Sequence, residues 1–135
     1  MYPEIKTLNM DKKVIHINEA PAPIGPYNQA IRTGNLLFIS GQIALVPGTE
    51  ILANESIAAE THQVMKNLSA LLQSQNAGFA NVVKTTIFLT NMSLFSEVNE
   101  IYGQYFTGEY PARETVAVKG LPKNVNVEIS MIAAL

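Results

Sequence analysis

The 135-residue sequence predicts one α+β domain, a mixed sheet with two helices on one of its faces. Three observations carry the prediction. Two segments repeat their apolar residues at helical spacing. Six others are short and rich in Val, Ile, Thr and Phe, as strands are. Their order, β-β-β-α-β-α-β-β, leaves the second sheet face without a helix, which favours an oligomer built around that face.

Residues 1–12 read as an N-terminal tail, with Met10 an alternative start, and residues 13–135 as the single domain. Val14-Ile15-His16-Ile17 is a short strand. The run Ala20-Pro21-Ala22-Pro23-Ile24-Gly25-Pro26 is excluded from regular structure, because three prolines remove donors and fix their φ angles. Strands follow at 28–32 and 36–43, joined by Gly34-Asn35 as a two-residue hairpin turn. Ser56 is the expected N-cap of the first helix, and Glu60 sits near its positive end. Ile57, Val64, Met65, Leu68, Leu71 and Leu72 form its buried face, and Gly78 is the expected left-handed terminator. A strand at 82–89 precedes a second helix from about Ser93, with Phe95, Val98, Tyr102, Tyr105 and Phe106 inward and Gly108 and Pro111 as its stop. Strands at 113–118 and 125–132 end the chain. The turn Leu121-Pro122-Lys123 between them suggests antiparallel neighbours.

Composition narrows the chemistry. Apolar residues make up 47%, and no apolar run reaches the roughly 20 residues of a membrane helix. The first ten residues lack the pattern of a secretion signal. No cysteine is present, which removes disulfides, thiolate nucleophiles and thiolate metal sites, and a cytoplasmic protein is the natural reading. The net charge is −2 with lysines scattered, so no basic stripe for nucleic acid is visible. Asp11 is the sole aspartate, and His16 and His62 are the only histidines. They lack the spacing of a metal site, and a Ser-His-Asp triad would have to recruit the N-terminal stretch.

What remains is a small set of polar residues. Arg113 is one of two arginines and follows Pro111-Ala112 at the entry to a strand. A guanidinium there is either a surface charge or a two-bond clamp for a carboxylate. Glu128 alternates with Val127 and Ile129, so it points away from the apolar face, to solvent or to a cleft shared with Arg113. Ser40-Gly41-Gln42 interrupts an apolar strand, as a simple bulge or as a place of close approach. Asn99 and Tyr27 are each either ordinary packing or surface residues, or contributors to a cleft.

Taken together, Ala22-Pro23-Ile24-Gly25-Pro26-Tyr27-Asn28-Gln29-Ala30 and Ile39-Ser40-Gly41-Gln42-Ile43 resemble the opening motifs of the RidA (YjgF/Rid) family of imine deaminases. The resemblance continues through Asn67-Leu68, Val83-Lys84-Thr85-Thr86, Phe95-Ser96-Glu97-Val98-Asn99, Pro111-Ala112-Arg113, Leu121-Pro122-Lys123 and Val127-Glu128-Ile129. It implies a chorismate-mutase-like fold, a homotrimer with ligand clefts between subunits, and hydrolysis of 2-imino acids and enamines to 2-keto acids. It places the family's carboxylate-binding arginine on Arg113 and its acidic group on Glu128. Tyr27, Ser40, Gly41, Asn99 and Thr115 fall on substrate-cleft positions. Thr115 stands where deaminating members often carry cysteine, Asn28 replaces the commoner serine, and the connection before Arg113 looks shorter. No metal, cofactor, nucleic acid or membrane is implied, only small imino and keto acids. Two other classes stay open, a non-catalytic module that binds small carboxylates and a ribonuclease or translation inhibitor.

Overall fold

The computed structural model describes residues 11–135, so the reading of Met10 as a start and most of the tail lie outside the described residues. Asp11 Oδ2 accepts a hydrogen bond from Gly34 N at 2.8 Å.

Strands β1 (Lys13–Ile15), β2 (Ala30–Thr33) and β3 (Leu36–Gln42) form an antiparallel meander. Gly34 has φ 56°, the left-handed region a two-residue hairpin asks of its first residue. β1 is shorter than expected because Ile17 N–H goes to the Gln29 side chain instead of a strand.

Helix α1 (Ile57–Gln73) starts where expected, with Ser56 Oγ accepting from Ala59 N at 3.0 Å. Its terminator is not Gly78, whose φ is −145°. Asn76 takes the left-handed conformation at φ 57°. Bonds from Asn76 N to Gln73 O and from Ala77 N to Leu72 O then close a Schellman pattern. Asparagine reaches that region at modest cost, which is why the first candidate after the helix took the role.

Strand β4 (Val82–Leu89) matches the expected bounds, and α2 (Phe95–Gly103) follows a 3₁₀ turn at Met92–Leu94. α2 ends at Gly103, well before Gly108. Beyond it Gln104, Tyr105 and Phe106 bond back three residues. These tighter turns carry Tyr105 and Phe106 out of the helix and onto Phe79, with ring centroids 5.5 Å apart in each pair. Strands β5 (Ala112–Ala117) and β6 (Val127–Ala134) complete the sheet.

The strand order is β1-β2-β3-β6-β4-β5, with β4–β5 the parallel pair and every other neighbour antiparallel. The expected antiparallel pairing of β5 with β6 is therefore wrong. β4 lies between them, because α2 returns the chain in the same direction and deposits β5 on the outer edge of β4. The sheet is mixed, and both helices cover one face. Val64, Met65, Leu68, Leu71 and Leu72 of α1 are fully buried against Leu37, Ile39, Ile87, Ile129 and Met131. Truncating a fully buried leucine such as Leu68 to alanine costs roughly 2–5 kcal/mol. Among the described residues no helix is long and apolar enough to cross a membrane.

Candidate active site

The register assigns each candidate to a face. Arg113 pairs with Thr85, which is buried and receives a hydrogen bond from Tyr102 of α2 at 3.1 Å. Glu128 pairs with Phe88, an odd number of residues along the same β4. Arg113 thus projects to the helix side and Glu128 to the bare side. With β4 between them and a three-residue offset, their Cα atoms are about 14 Å apart by strand geometry. The two residues expected to flank one cleft do not share one within a single chain.

Arg113 heads its own half-site. Its Nη1 donates to Asn99 Oδ1 at 2.7 Å, and its guanidinium lies 5.2 Å from the Tyr102 ring centroid and 5.7 Å from that of Phe95. Aromatic faces attract the cation and hold its plane. A cavity of about 480 Å³ opens here, lined by Asn99, Tyr102, Gly103, Tyr110, Pro111 and Arg113. Burial raises the Tyr102 phenol above its usual range, while the Thr85 hydrogen bond and the Arg113 charge pull it back, so the ring stays neutral beside the cation. Thr115 lies two residues beyond Arg113 on the same side of β5, and its buried Oγ1 has no hydrogen-bond partner among the described residues. A buried hydroxyl left without a partner costs roughly 1–3 kcal/mol.

Glu128 heads the second half-site. It is half-buried, and desolvation raises its carboxyl above the usual carboxylate range. It lines a cavity of about 40 Å³ with Tyr27, Gly41, Ile43, Leu45 and Pro122 among its walls. Between Ile39 and Gln42 strand β3 takes three steps while β6 takes two, from Met131 to Ile129. This bulge keeps Ile39 and Gln42 in the core and gives the other side to Ser40 and Gly41. A Cβ on Gly41 would lie 2.8 Å from Glu128 Cδ, so glycine is what lets the carboxyl lie against the strand. Ser40 Oγ donates to Asn28 O at 2.6 Å and Tyr27 Oη accepts from Ile24 N at 3.1 Å, so both brace the proline-rich strap.

The structure therefore groups Glu128, Gly41 and Tyr27 on one side, with Ser40 supporting them. It groups Arg113 and Asn99 on the other, with Thr115 alongside. Two contributors were missed in the sequence. Tyr102 was read only as packing, although its spacing from Asn99 puts both on one face of α2. Gln29 is 1% exposed and ties Ile17, Ala20 and Pro21 together through four hydrogen bonds. An amide directly before a strand at the end of a proline-rich run was the signal for it. His62 is engaged with Tyr105 Oη at 2.6 Å, away from both cavities. Among the described residues no group of three or more acidic or histidine side chains gathers as a metal site would.

Comparison with known proteins identifies the family. The sequence profile described as Endoribonuclease L-PSP matches residues 17–135. Reactive Intermediate Deaminase A, chloroplastic, from Arabidopsis thaliana is 43% identical over 131 residues, covering 97% of this chain and 70% of its own length. The 2-iminobutanoate/2-iminopropanoate deaminase of Mus musculus is 44% identical over 122 residues, 90% of each chain. Among solved structures, the Rid-family protein YyfA from Yersinia pestis superposes with a TM-score of 0.88 at 46% identity, covering 92% of this chain and 99% of its own.

Proposed function

The chain belongs to the endoribonuclease L-PSP family, the YjgF/RidA family, and from that premise we propose that it hydrolyses reactive 2-imino acids and their enamine tautomers to 2-keto acids and ammonia. Its substrates include 2-iminobutanoate and 2-iminopropanoate, the imines for which the mouse relative is named. The observation that supports this best is the division of labour between the half-sites. One presents a guanidinium held flat by Asn99 and Tyr102, the other a half-buried carboxyl with a raised pKa.

The chemistry asks for little more. A protonated imine is already electrophilic at C2. Arg113 grips the substrate carboxylate with two parallel hydrogen bonds and fixes the plane of the imine. Glu128 takes a proton from water as its oxygen adds to C2, then returns it to the nitrogen. Glu128 then takes the adduct's hydroxyl proton as the C2–N bond breaks, giving the keto acid and ammonia, and that proton leaves with the ammonia as ammonium. Gly41 lets the carboxyl approach, Tyr27 and Ser40 shape that wall, and the unpartnered Thr115 hydroxyl is available to orient water or ligand. No step needs a metal or an organic cofactor.

Because Arg113 and Glu128 project from opposite sheet faces, a complete site requires two chains. The bare face carries exposed Val14, Phe38 and Val116, and β5 is an edge strand, which supports a homotrimer assembled around that face with clefts between subunits. The cytoplasmic placement expected from the composition is kept; the plant relative is chloroplastic by name.

The test is complementation between inactive variants. Arg113→Ala and Glu128→Gln chains, each inactive alone, are unfolded together, refolded and assayed by keto-acid release above spontaneous hydrolysis. Random mixing in a trimer gives intact pairs in about a quarter of the sites, hence about a quarter of wild-type turnover. Mixtures no more active than either parent would mean that sites are not shared. Wild-type turnover equal to background would overturn the deaminase reading itself.

A further inference from the structure

Helix α1 carries a buried carboxylate that the reaction does not use. Glu60 is fully buried, and among the described residues no lysine, arginine or histidine nitrogen lies within ion-pair reach of it. A charge in that position is tolerated only when hydrogen bonds replace its lost water. Three do so. Oε2 accepts from Asn126 N at 2.7 Å and from Val127 N at 2.8 Å, and Oε1 accepts from Asn126 Nδ2 at 2.9 Å. The β3–β6 ladder ends at Gln42↔Ile129, so these two N–H groups have no partner in β3, and the Glu60 side chain stands in for the missing strand.

Two turns further along the same face, Asn67 does the matching work. Its Nδ2 donates to Ile43 O at 3.0 Å and Leu45 O at 2.9 Å, and Gln63 holds its amide the right way round through a 2.9 Å bond to Oδ1. Glu60 therefore anchors the residue immediately before Glu128, and Asn67 anchors the chain immediately after the Gly41 bulge. The contact between those two segments has little tolerance, since a Cβ on Gly41 would already overlap the Glu128 carboxyl.

We propose that Glu60 is a positioning residue for the deamination, acting through Asn126 and Val127 to aim the Glu128 carboxyl along Gly41, with Asn67 fixing the opposing wall. The proposal rests on Glu128 being the proton-handling group. Its content is geometric, because what Glu60 supplies is two oxygens at a set reach. Glutamine keeps that reach. Its oxygen accepts from both backbone N–H groups, and its NH₂ meets Asn126 once that amide turns over, with Thr90 Oγ1 able to accept in turn. Aspartate keeps the charge but falls about 1.5 Å short, one C–C bond.

The experiment compares Glu60→Gln and Glu60→Asp in the full-length protein. Steady-state kinetics on one imino acid are combined with a ¹³C NMR titration of the Glu128 carboxyl, whose only titratable cavity neighbour among the described residues is Tyr27. Glu60→Gln is expected to stay within about threefold of wild-type kcat, with the Glu128 titration unmoved. Glu60→Asp is expected to lose roughly tenfold or more in kcat, with KM within about threefold and the Glu128 titration shifted toward the ordinary carboxylate range. A folded Glu60→Asp with wild-type kcat and an unmoved titration overturns the proposal, as does a Glu60→Gln that fails as badly as Glu60→Asp, since matched reach would then not be enough. If Glu60→Asp does not fold, Asn67→Asp provides the second arm. It removes a donor from the opposing wall and is expected to reduce kcat with KM preserved; wild-type kinetics there overturn the coupling. The titration reads Glu128 without turnover, so an inactive wild type would refute the deaminase reading and still leave the Glu60 geometry decided.

Discussion

Arg113 Nη1 donates to Asn99 Oδ1 across 2.7 Å, while the face of the same guanidinium lies over the Tyr102 ring. One of five donors is thereby spent on a neutral acceptor, and the rest have no partner among the described residues and can meet an incoming carboxylate. An acidic partner in place of Asn99 would compete with that ligand; an amide orients the fork without neutralising it. Asn99→Ala is expected to raise KM about tenfold, corresponding to about 1.4 kcal/mol for a hydrogen bond to a charged group. The effect on kcat should be smaller, and Tm should hold because Asn99 is exposed. Calorimetry with a 2-keto acid measures the same loss at equilibrium.

Arg113→Ala should abolish turnover above background in a folded protein, since this side chain is exposed. Arg113→Lys should also be severely impaired, because an ammonium is a point charge without the planar fork. Circular dichroism establishes the fold, and full activity in either variant would remove Arg113 from the site.

Gly41→Ala tests the other half-site. The new methyl would meet Glu128 Cδ at 2.8 Å, so the carboxyl must swing away. The backbone there needs no positive φ, so strain in the chain itself is not the cause. A kcat loss of roughly tenfold or more is expected, with a stability cost of about 1–2 kcal/mol from overpacking. A crystal structure of the variant would show whether Glu128 has moved.

The pH dependence follows from the raised Glu128 pKa. As a base the group must be ionised, so kcat should fall on acidification through a pKa above the ordinary 4.5. For stability the sign is opposite. The folded state holds this proton more tightly than the unfolded one, so the contribution is fully present below the unfolded pKa and is lost as pH rises through the folded pKa. Glu128→Gln should therefore lower turnover by roughly 10²–10⁴-fold, yet raise Tm at neutral pH and leave it nearly unchanged in acid. A Tm that drops at neutral pH would contradict the desolvated carboxyl.

Assembly can be checked directly. Light scattering at micromolar concentration should give about three times the 14.7 kDa subunit mass. Val116→Glu adds a charge to the bare face next to Glu114 and should shift the protein to smaller species with loss of turnover. A stable wild-type monomer that still turns over would exclude shared sites.

Much of this was legible because periodicity survives in buried elements. The alternation of Val125, Val127, Ile129 and Met131 with Asn126, Glu128 and Ser130 revealed β6 and turned Glu128 away from the core. β5 offered no such alternation, because nearly all its residues are exposed in one chain, so the direction of Arg113 could not be read. The parallel pairing of β4 with β5, and the entry of β6 between β3 and β4, are long-range choices that local turn residues do not encode. The polar supports Gln29, Glu60 and Tyr102 escaped for the same reason. Each is a buried group whose partners lie 8 to 67 residues away in the chain.

The position of β6 also bears on how the molecule comes into being. β6, one of the two central strands of the sheet, follows every other strand in chain order and lies between β3 and β4. Until β6 joins, the β1–β3 and β4–β5 groups each have an unpaired inner edge. Such edges invite pairing with other chains, and loop closure over so many residues is slow. The sheet therefore closes only when β6 takes its place between them, and until then those edges are open to misassociation.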